Sequence, residues 1–470
     1  MVEEVDHVKQ TVDEHWDSWY VEGLKDFVRV PNLSLMCDPE FYTNGNTEKA
    51  IDVVEAYAQK IGVEGLVRHV LKPEGSSHLV VYVHEGEGPN IMLYGHLDKQ
   101  PHGSGWDEDK HPTEPTIKNG WMYGRGASDD GYSAFSTLLA LKAVQNAGKK
   151  LPRIALVLET EEESGSPNLL DLLEKAKDLI KVPDYCFCLD SGTLDYENLW
   201  LTSSLRGVVI LDLDVSAGKI NFHSGTTGGI VPETFRVVRE LLNRIDDPTT
   251  GRVVDALQPA ETPAWKIAEA EEIVAKYGKQ ICNQYGVEEG VKYMNEDKLV
   301  EMYLDNVWRP NVSITGAEGL PPMADAGNVV RSHTKVRISM RLSPIQDAKE
   351  VEKKLIELLT TDVPYNCKVT ISGDHAGSGW CKKQFDDKLE TALKEAGDKY
   401  YGKATASFGM GGAIPFLKEL ERKYPTTQIC ALGLLGPDSN AHAPNEGIDL
   451  EYARKLTCCL GHMIKSLSPS

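Results

Sequence analysis

Short apolar runs alternate with helical patterns along this chain, and histidine, aspartate and glutamate stand where several of those runs end. Residues 77–83, 90–94, 153–159 and 185–189 are apolar, short and bounded by turn residues, which predicts strands of a buried sheet. Helical patterns lie around them: the segment up to about Met36, 47–61 with Thr47 as N-cap, 132–147 and 167–180. This alternation predicts an α/β fold with a three-layer domain around a mostly parallel sheet.

A different texture begins near Leu205. Residues 205–215 and 334–342 are rich in β-branched side chains and read as strands, whereas 233–244 and 347–359 read as helices. Between them, 221–232 is a loop rich in Gly, Thr and Ser, and 259–305 is charged and helical with no assignable chemistry. The first texture returns with a helix at 386–401, a strand at 428–435 and a closing helix at 450–466. The expected organisation is a catalytic domain in two parts, 1–204 and 375–470, interrupted by an inserted α+β lid or dimerisation domain at 205–374.

Charge and cysteine usage narrow the function classes. The net charge of −21 repels phosphate backbones and argues against nucleic-acid binding. No apolar run approaches the roughly 20 residues that span a bilayer. The N-terminus lacks a basic segment followed by an apolar one, so a cytoplasmic protein off the membrane is expected. The nine cysteines show no CxxC metal spacing and read as thiols in a reducing compartment.

Five groups carry the chemistry. Gly95-His96-Leu97-Asp98 follows the second apolar run, pairing an imidazole with a carboxylate that can accept its other ring proton. Residues 124–131 read GRGASDDG, where adjacent Asp129 and Asp130 repel each other unless a cation sits there. Glu161, Glu162 and Glu163 end the third run, a costly place for charge without counterions. Asp190 ends the fourth, and His442 lies in the loop after 428–435. Singly, each has a plainer reading: a satisfied histidine, an N-capping aspartate, a solvated acidic patch, a turn residue, a loop histidine. Together, at the strand ends of one sheet, two histidines and three carboxylates suit a pair of borderline cations such as zinc better than magnesium.

The motifs GHLDKQP (95–101), GWMYGRGASDDG (120–131), ETEEESGS (159–166), FHSGTTGG (222–229), SMRLSP (339–344) and GGAIP (411–415) stand in one order along nearly the whole chain. In this the chain resembles the zinc aminoacyl hydrolases that include carnosine dipeptidase, glutamate carboxypeptidase and succinyl-diaminopimelate desuccinylase, and most of all the cytosolic nonspecific dipeptidases. The resemblance implies two Zn2+ per subunit, with Mn2+ or Co2+ as substitutes. Asp129 would bridge the ions, His96 and Asp190 would complete one site, and Glu163 and His442 the other. Asp98 would buttress His96. Glu162 would take a proton from a metal-bridging water and return it to the leaving amine. The Asp129–Asp130 peptide would be cis.

The resemblance further implies a homodimer in which His223 crosses to the partner's active site and polarises the scissile carbonyl. Arg341, Asn328 and the loop Gly411-Gly412-Ala413 would bind the substrate, with Arg341 and the loop taking its free carboxylate. Some positions depart from the dipeptidase pattern. Gly131 follows the paired aspartates where a lysine is usual, Gly409-Met410 replaces Arg-Glu, Ala413 replaces a serine, and Asn328 replaces a threonine. The expected function is metal-dependent hydrolysis of an amide bond in a small peptide or N-acyl amino acid, foremost as a dipeptidase or carboxypeptidase. The alternatives are an N-acyl amino acid deacylase such as a desuccinylase, and a noncatalytic ligand-binding relative.

Overall fold

The computed structural model describes residues 5–285, 287–412 and 415–469. The chain divides into two compact units, one of Met1–Thr202, Lys382–Phe408 and Glu419–Ser470, the other of Ser203–Cys381 and Gly409–Lys418.

The first unit is built on a six-stranded sheet in the order Leu66–Leu71, Leu79–His84, Arg153–Glu159, Asn90–His96, Tyr185–Cys188, Gln428–Ala431. Asn90–His96 runs parallel to both of its neighbours, and Gln428–Ala431 is parallel to Tyr185–Cys188. The first two strands are antiparallel additions. Every residue of Asn90–His96 and Arg153–Glu159 is buried, as strands covered on both faces require. Tyr132–Asn146 is a core helix, apolar nearly all round and rich in Ala and Leu, against which Leu450–Leu467 and His7–His15 pack. On it, Phe135 meets Trp19, Tyr57, Tyr20 and Phe27 edge-on, at centroid distances of 5.9, 5.8, 6.4 and 6.4 Å.

One local expectation needed correction. Thr47 lies inside the helix Asn46–Ile61, whose N-cap position is Gly45 in the left-handed region at φ 70°. The strand Leu66–Leu71 lies outside the expected strands: Arg68 and His69 interrupt its apolar residues, and Val67, Arg68 and Val70 are exposed.

The second unit holds a four-stranded antiparallel sheet in the order Asn311–Glu318, His333–Leu342, Gly207–Ser216, Lys368–Gly377. Burial alternates along His333–Leu342, and one face of the sheet meets the helices Thr234–Leu242 and Ala348–Thr360. Glu233 and Asp347 cap those helices, each accepting two backbone N–H groups of the first turn. On the strands' other residues, Asp212 pairs with Arg337 at 2.7 Å and with Lys335 at 3.2 Å. The outer strand Asn311–Glu318 is exposed from Ser313 onward, which removed the periodic signal that would have marked it. The stretch 259–305 holds the helix Ala264–Tyr277 and most of the helix Leu299–Val307; there the buried Lys266 ammonium bonds Ser204 at 2.9 Å and Glu269 at 2.5 Å.

Candidate metal centre

Three of the proposed ligands, His96, Glu163 and Asp190, come from the ends of adjacent sheet strands or the turns just beyond them. His96 is the last residue of its strand, opposite Glu159 in parallel register. Glu162 and Glu163 occupy a single turn, Glu162–Ser164, just past that neighbour. Asp190 follows Tyr185–Cys188, and Asp129 lies in the kinked segment Ala127–Gly131 that leads into the core helix. His442 arrives from the loop beyond Gln428–Ala431, with φ of 61°.

These side chains form two groups of three: His96, Asp129 and Asp190, and Asp129, Glu163 and His442, with ligand atoms within 4.8 Å of one another in each. Asp129 belongs to both. Its Oδ1 is 3.2 Å from His96 Nε2, and its Oδ2 is 3.0 Å from His442 Nε2. Glu163 Oε2 is 3.1 Å from the same His442 nitrogen, and Asp190 Oδ1 is 4.0 Å from His96 Nε2. The Asp129–Asp130 peptide is cis.

Hydrogen bonds behind the ligands set their orientation. His96 Nδ1 is 3.1 Å from the backbone oxygen of Asp98 and 3.4 Å from its carboxylate. Donation to either oxygen leaves the Nε2 lone pair free toward Asp129, the tautomer a metal ligand needs. The Asp98 carboxylate accepts the backbone N–H groups of Glu162 at 3.1 Å and Glu163 at 3.0 Å, clamping the turn that carries both. Gln100 donates its amide to Glu163 Oε2 at 2.8 Å. Gln100 lies within a quoted motif but had no predicted role, and neither did the buried pair Arg125 and Glu446 at 2.7 Å. An arginine inside a glycine-rich turn and a glutamate four residues after a loop histidine were the available signals.

The electrostatics are those of a crowded acidic cavity. Burial pushes the Glu162 carboxyl well above its usual range, and the charge of Asp190 adds to this. Burial likewise lifts Asp190 to about 7, while the His96 charge pulls it back. Burial also opposes the charge on Asp129, but hydrogen bonds from His442 and His96 outweigh it and hold this carboxyl below its usual range. Hydrogen bonds to Asp129 and Glu163 raise His442 to about 11. Among the described residues, Glu163 Oε1 and Asp130 Oδ1 are buried without a hydrogen-bond partner. Acceptors left over in a cavity of like charge mark a place built for cations. The imidazole and carboxylate set fits a pair of zinc-like ions.

The other predicted residues lie in the second unit. His223 ends the short strand Phe222–His223, is exposed, and accepts the Gly225 N–H on Nδ1 at 3.1 Å. That acceptance places the proton of the neutral ring on Nε2, which is then a donor. Asn328 is next to it through a bond from Ser224 N to its backbone oxygen at 3.0 Å. Arg341 stands opposite Asn311 and Val208, half-buried, and makes no side-chain hydrogen bond or ion pair among the described residues. Burial lowers its pKa, a cost that a bound anion would relieve. The Gly411 carbonyl accepts from Arg206 at 3.1 Å. A Cβ on Gly412 would meet nothing within 4 Å. Ala413 lies outside the described residues.

Comparison with known proteins identifies the class. A family model described as peptidase family M20/M25/M40 matches residues 92–466, and the chain belongs to this family: it is a metallopeptidase. It is 25% identical over 407 residues to the cysteinylglycine-S-conjugate dipeptidase of Corynebacterium striatum, covering 86% of each chain. It is 27% identical over 468 residues to the human Beta-Ala-His dipeptidase, covering 95% of this chain and 89% of the relative. Its fold matches that of human carnosine dipeptidase 1 with a TM-score of 0.73 at 24% identity, covering 98% of both chains. It matches an M20 family metallo-carboxypeptidase of Sulfolobus solfataricus with a TM-score of 0.75 at 21% identity, over 95% of this chain and 99% of that one. Among the described residues, no helix is long and apolar enough to cross a membrane.

Proposed function

We propose that this chain is a dipeptidase that hydrolyses the peptide bond of small peptides with a free C-terminal carboxylate, using two zinc ions. The observation that carries the reading is Asp129, one carboxylate turning an oxygen toward each of two imidazoles. His96, Asp129 and Asp190 would hold one ion, and Asp129, Glu163 and His442 the other. When bound, such ions polarise a carbonyl and lower the pKa of a water.

The chain's own groups supply the rest. Glu162, fixed by the Asp98 clamp on its backbone N–H, takes a proton from the attacking water and passes it to the departing amine. With cations held by its neighbours, the Glu162 carboxylate would be favoured in its ionised form and could serve as the base. Arg341, half-buried without a partner among the described residues, takes the substrate carboxylate. Asn328 and the Gly411-Gly412-Ala413 loop would line the same substrate site. The dipeptidase names of the relatives support this substrate class.

His223 donates from Nε2 to the scissile carbonyl across a homodimer. Its exposure and its tautomer support this role, and the exposed outer strand Asn311–Glu318 offers a second copy a backbone edge that is unpaired among the described residues. We place the protein in the cytoplasm, a reading supported by eight cysteines among the described residues, which are free thiols.

Amine release from dipeptides and from N-succinyl and N-acetyl amino acids, with zinc added and a chelator control, tests the reading. Chelator-sensitive cleavage of dipeptides is expected. Cleavage of the acyl substrates alone would overturn it in favour of a deacylase.

A further inference from the structure

Two segments far apart in sequence carry Asp129 and His442, and a buried ion pair joins them. Arg125 lies four residues before Asp129, and Glu446 four residues after His442. Their side chains are 2% and 0% exposed, and Arg125 NH1 is 2.7 Å from Glu446 Oε2. The other carboxylate oxygen, Glu446 Oε1, is the hub of the metal loop. It accepts the backbone N–H of Gly126 at 3.1 Å, Ser128 at 3.2 Å and Asp129 at 3.2 Å, and the Ser128 hydroxyl at 3.1 Å. The other guanidinium nitrogen, Arg125 NH2, donates to the backbone oxygen of Ala443 at 3.0 Å, one residue beyond His442.

This arrangement answers a mechanical difficulty. The His442 side chain is 56% exposed, so packing alone does not hold it. Its backbone has a φ of 61°, in the left-handed region that a non-glycine residue seldom adopts. Glu446 anchors the far end of its loop by accepting from the Asp129 loop, and its own backbone oxygen accepts from Gly124 N at 2.9 Å. Arg125 anchors the loop next to the ligand itself.

Resting on the dinuclear reading above, we infer that Arg125 and Glu446 are positioning residues that tie the His442 loop to the Asp129 loop, and that they act more on the ion held by Asp129, Glu163 and His442 than on the ion held by His96, Asp129 and Asp190. The asymmetry follows from the contacts. The pair touches the backbone of two of the three ligand segments in the group of Asp129, Glu163 and His442, and of only one in the group of His96, Asp129 and Asp190.

The test is zinc affinity of the full-length protein, measured by competition with a chromophoric chelator so that two dissociation constants are resolved. Metal-free melting temperatures are recorded alongside. Glu446→Gln keeps the shape and an acceptor oxygen but turns an amide toward Arg125. It is expected to weaken one zinc constant by roughly 10- to 100-fold, as loss of groups behind metal ligands does, and the other much less. Arg125→Lys keeps a cation beside Glu446 but cannot hold both Glu446 and Ala443; it is expected to weaken the same constant. It also serves if Glu446→Gln does not fold.

A lower metal-free melting temperature with both zinc constants unchanged would make the pair merely structural and overturn the inference. Equal weakening of both constants would overturn it too. A wild-type protein that binds no zinc pair would instead sink the dinuclear reading on which it rests, so the two failures are told apart by the wild-type titration.

Discussion

Asp98→Asn changes one oxygen of a buried carboxylate into an amide, and the structure says where the effect falls. The carboxylate accepts two backbone N–H groups, from Glu162 at 3.1 Å and from Glu163 at 3.0 Å. Hydrogen bonds to a charged group contribute roughly 1.5–3 kcal/mol each, and neutral ones about 0.5–1.5 kcal/mol. Asparagine can accept only one of the two, at neutral strength, and points its NH2 at the other donor. The turn holding the base and a ligand therefore loses about 2.5–4.5 kcal/mol of support. Expressed wholly in the transition state, that is a roughly 70- to 2000-fold fall in kcat/KM.

His96 is nearly spared, because its Nδ1 lies closer to the Asp98 backbone oxygen, at 3.1 Å, than to the carboxylate at 3.4 Å. The substitution leaves that backbone oxygen in place. Steady-state kinetics on a cleaved dipeptide at saturating zinc, with zinc per subunit measured by mass spectrometry, are expected to show lost turnover at nearly full metal content. If the variant loses an ion while its loaded fraction turns over normally, the carboxylate serves His96 and the argument is refuted. An unchanged kcat/KM would refute the clamp outright.

Glu162→Gln is expected to lower turnover by about 10²- to 10⁴-fold, the usual worth of a general base, with both zinc ions retained; metal analysis beside kinetics decides. His223→Ala is expected to lower kcat at unchanged zinc content. Mixing it with Glu162→Gln subunits should restore part of the activity, and no recovery in the mixed dimer would remove the shared-site proposal. His78 is 6% exposed, with Glu48 at 3.6 Å, and burial first, then the charge of Lys72, lowers its pKa below the ordinary 6.5. The unfolded chain therefore takes up this proton first as pH falls, so folding stability drops from pH 6.5 down to the folded-state value. Urea midpoints at about pH 7.5 and about pH 5.5 should differ less in His78→Leu than in wild type; equal differences would exclude His78 as a source.

Much of this protein is legible without coordinates. Asn90–His96 and Arg153–Glu159 are buried on both faces, so their apolar runs mark them in the sequence, and a ligand-type residue at such a strand end announces itself against that background. Asp347 and Glu233 cap helices through contacts two or three residues away, a range that local pattern covers. Tertiary structure alone decided the rest. The exposed edge strand Asn311–Glu318 is held by backbone pairing, which every residue can offer and no side-chain pattern reports. The two oxygens of Asp129 are divided between imidazoles 33 residues before it and 313 residues after it, since His96 and His442 meet only when strands and loops converge. The tie between Arg125 and Glu446 spans 321 residues. Residue types and their order state which groups are available for chemistry. Which oxygen faces which nitrogen is set by long-range packing, because the free energy of those contacts exists only once distant segments are brought together.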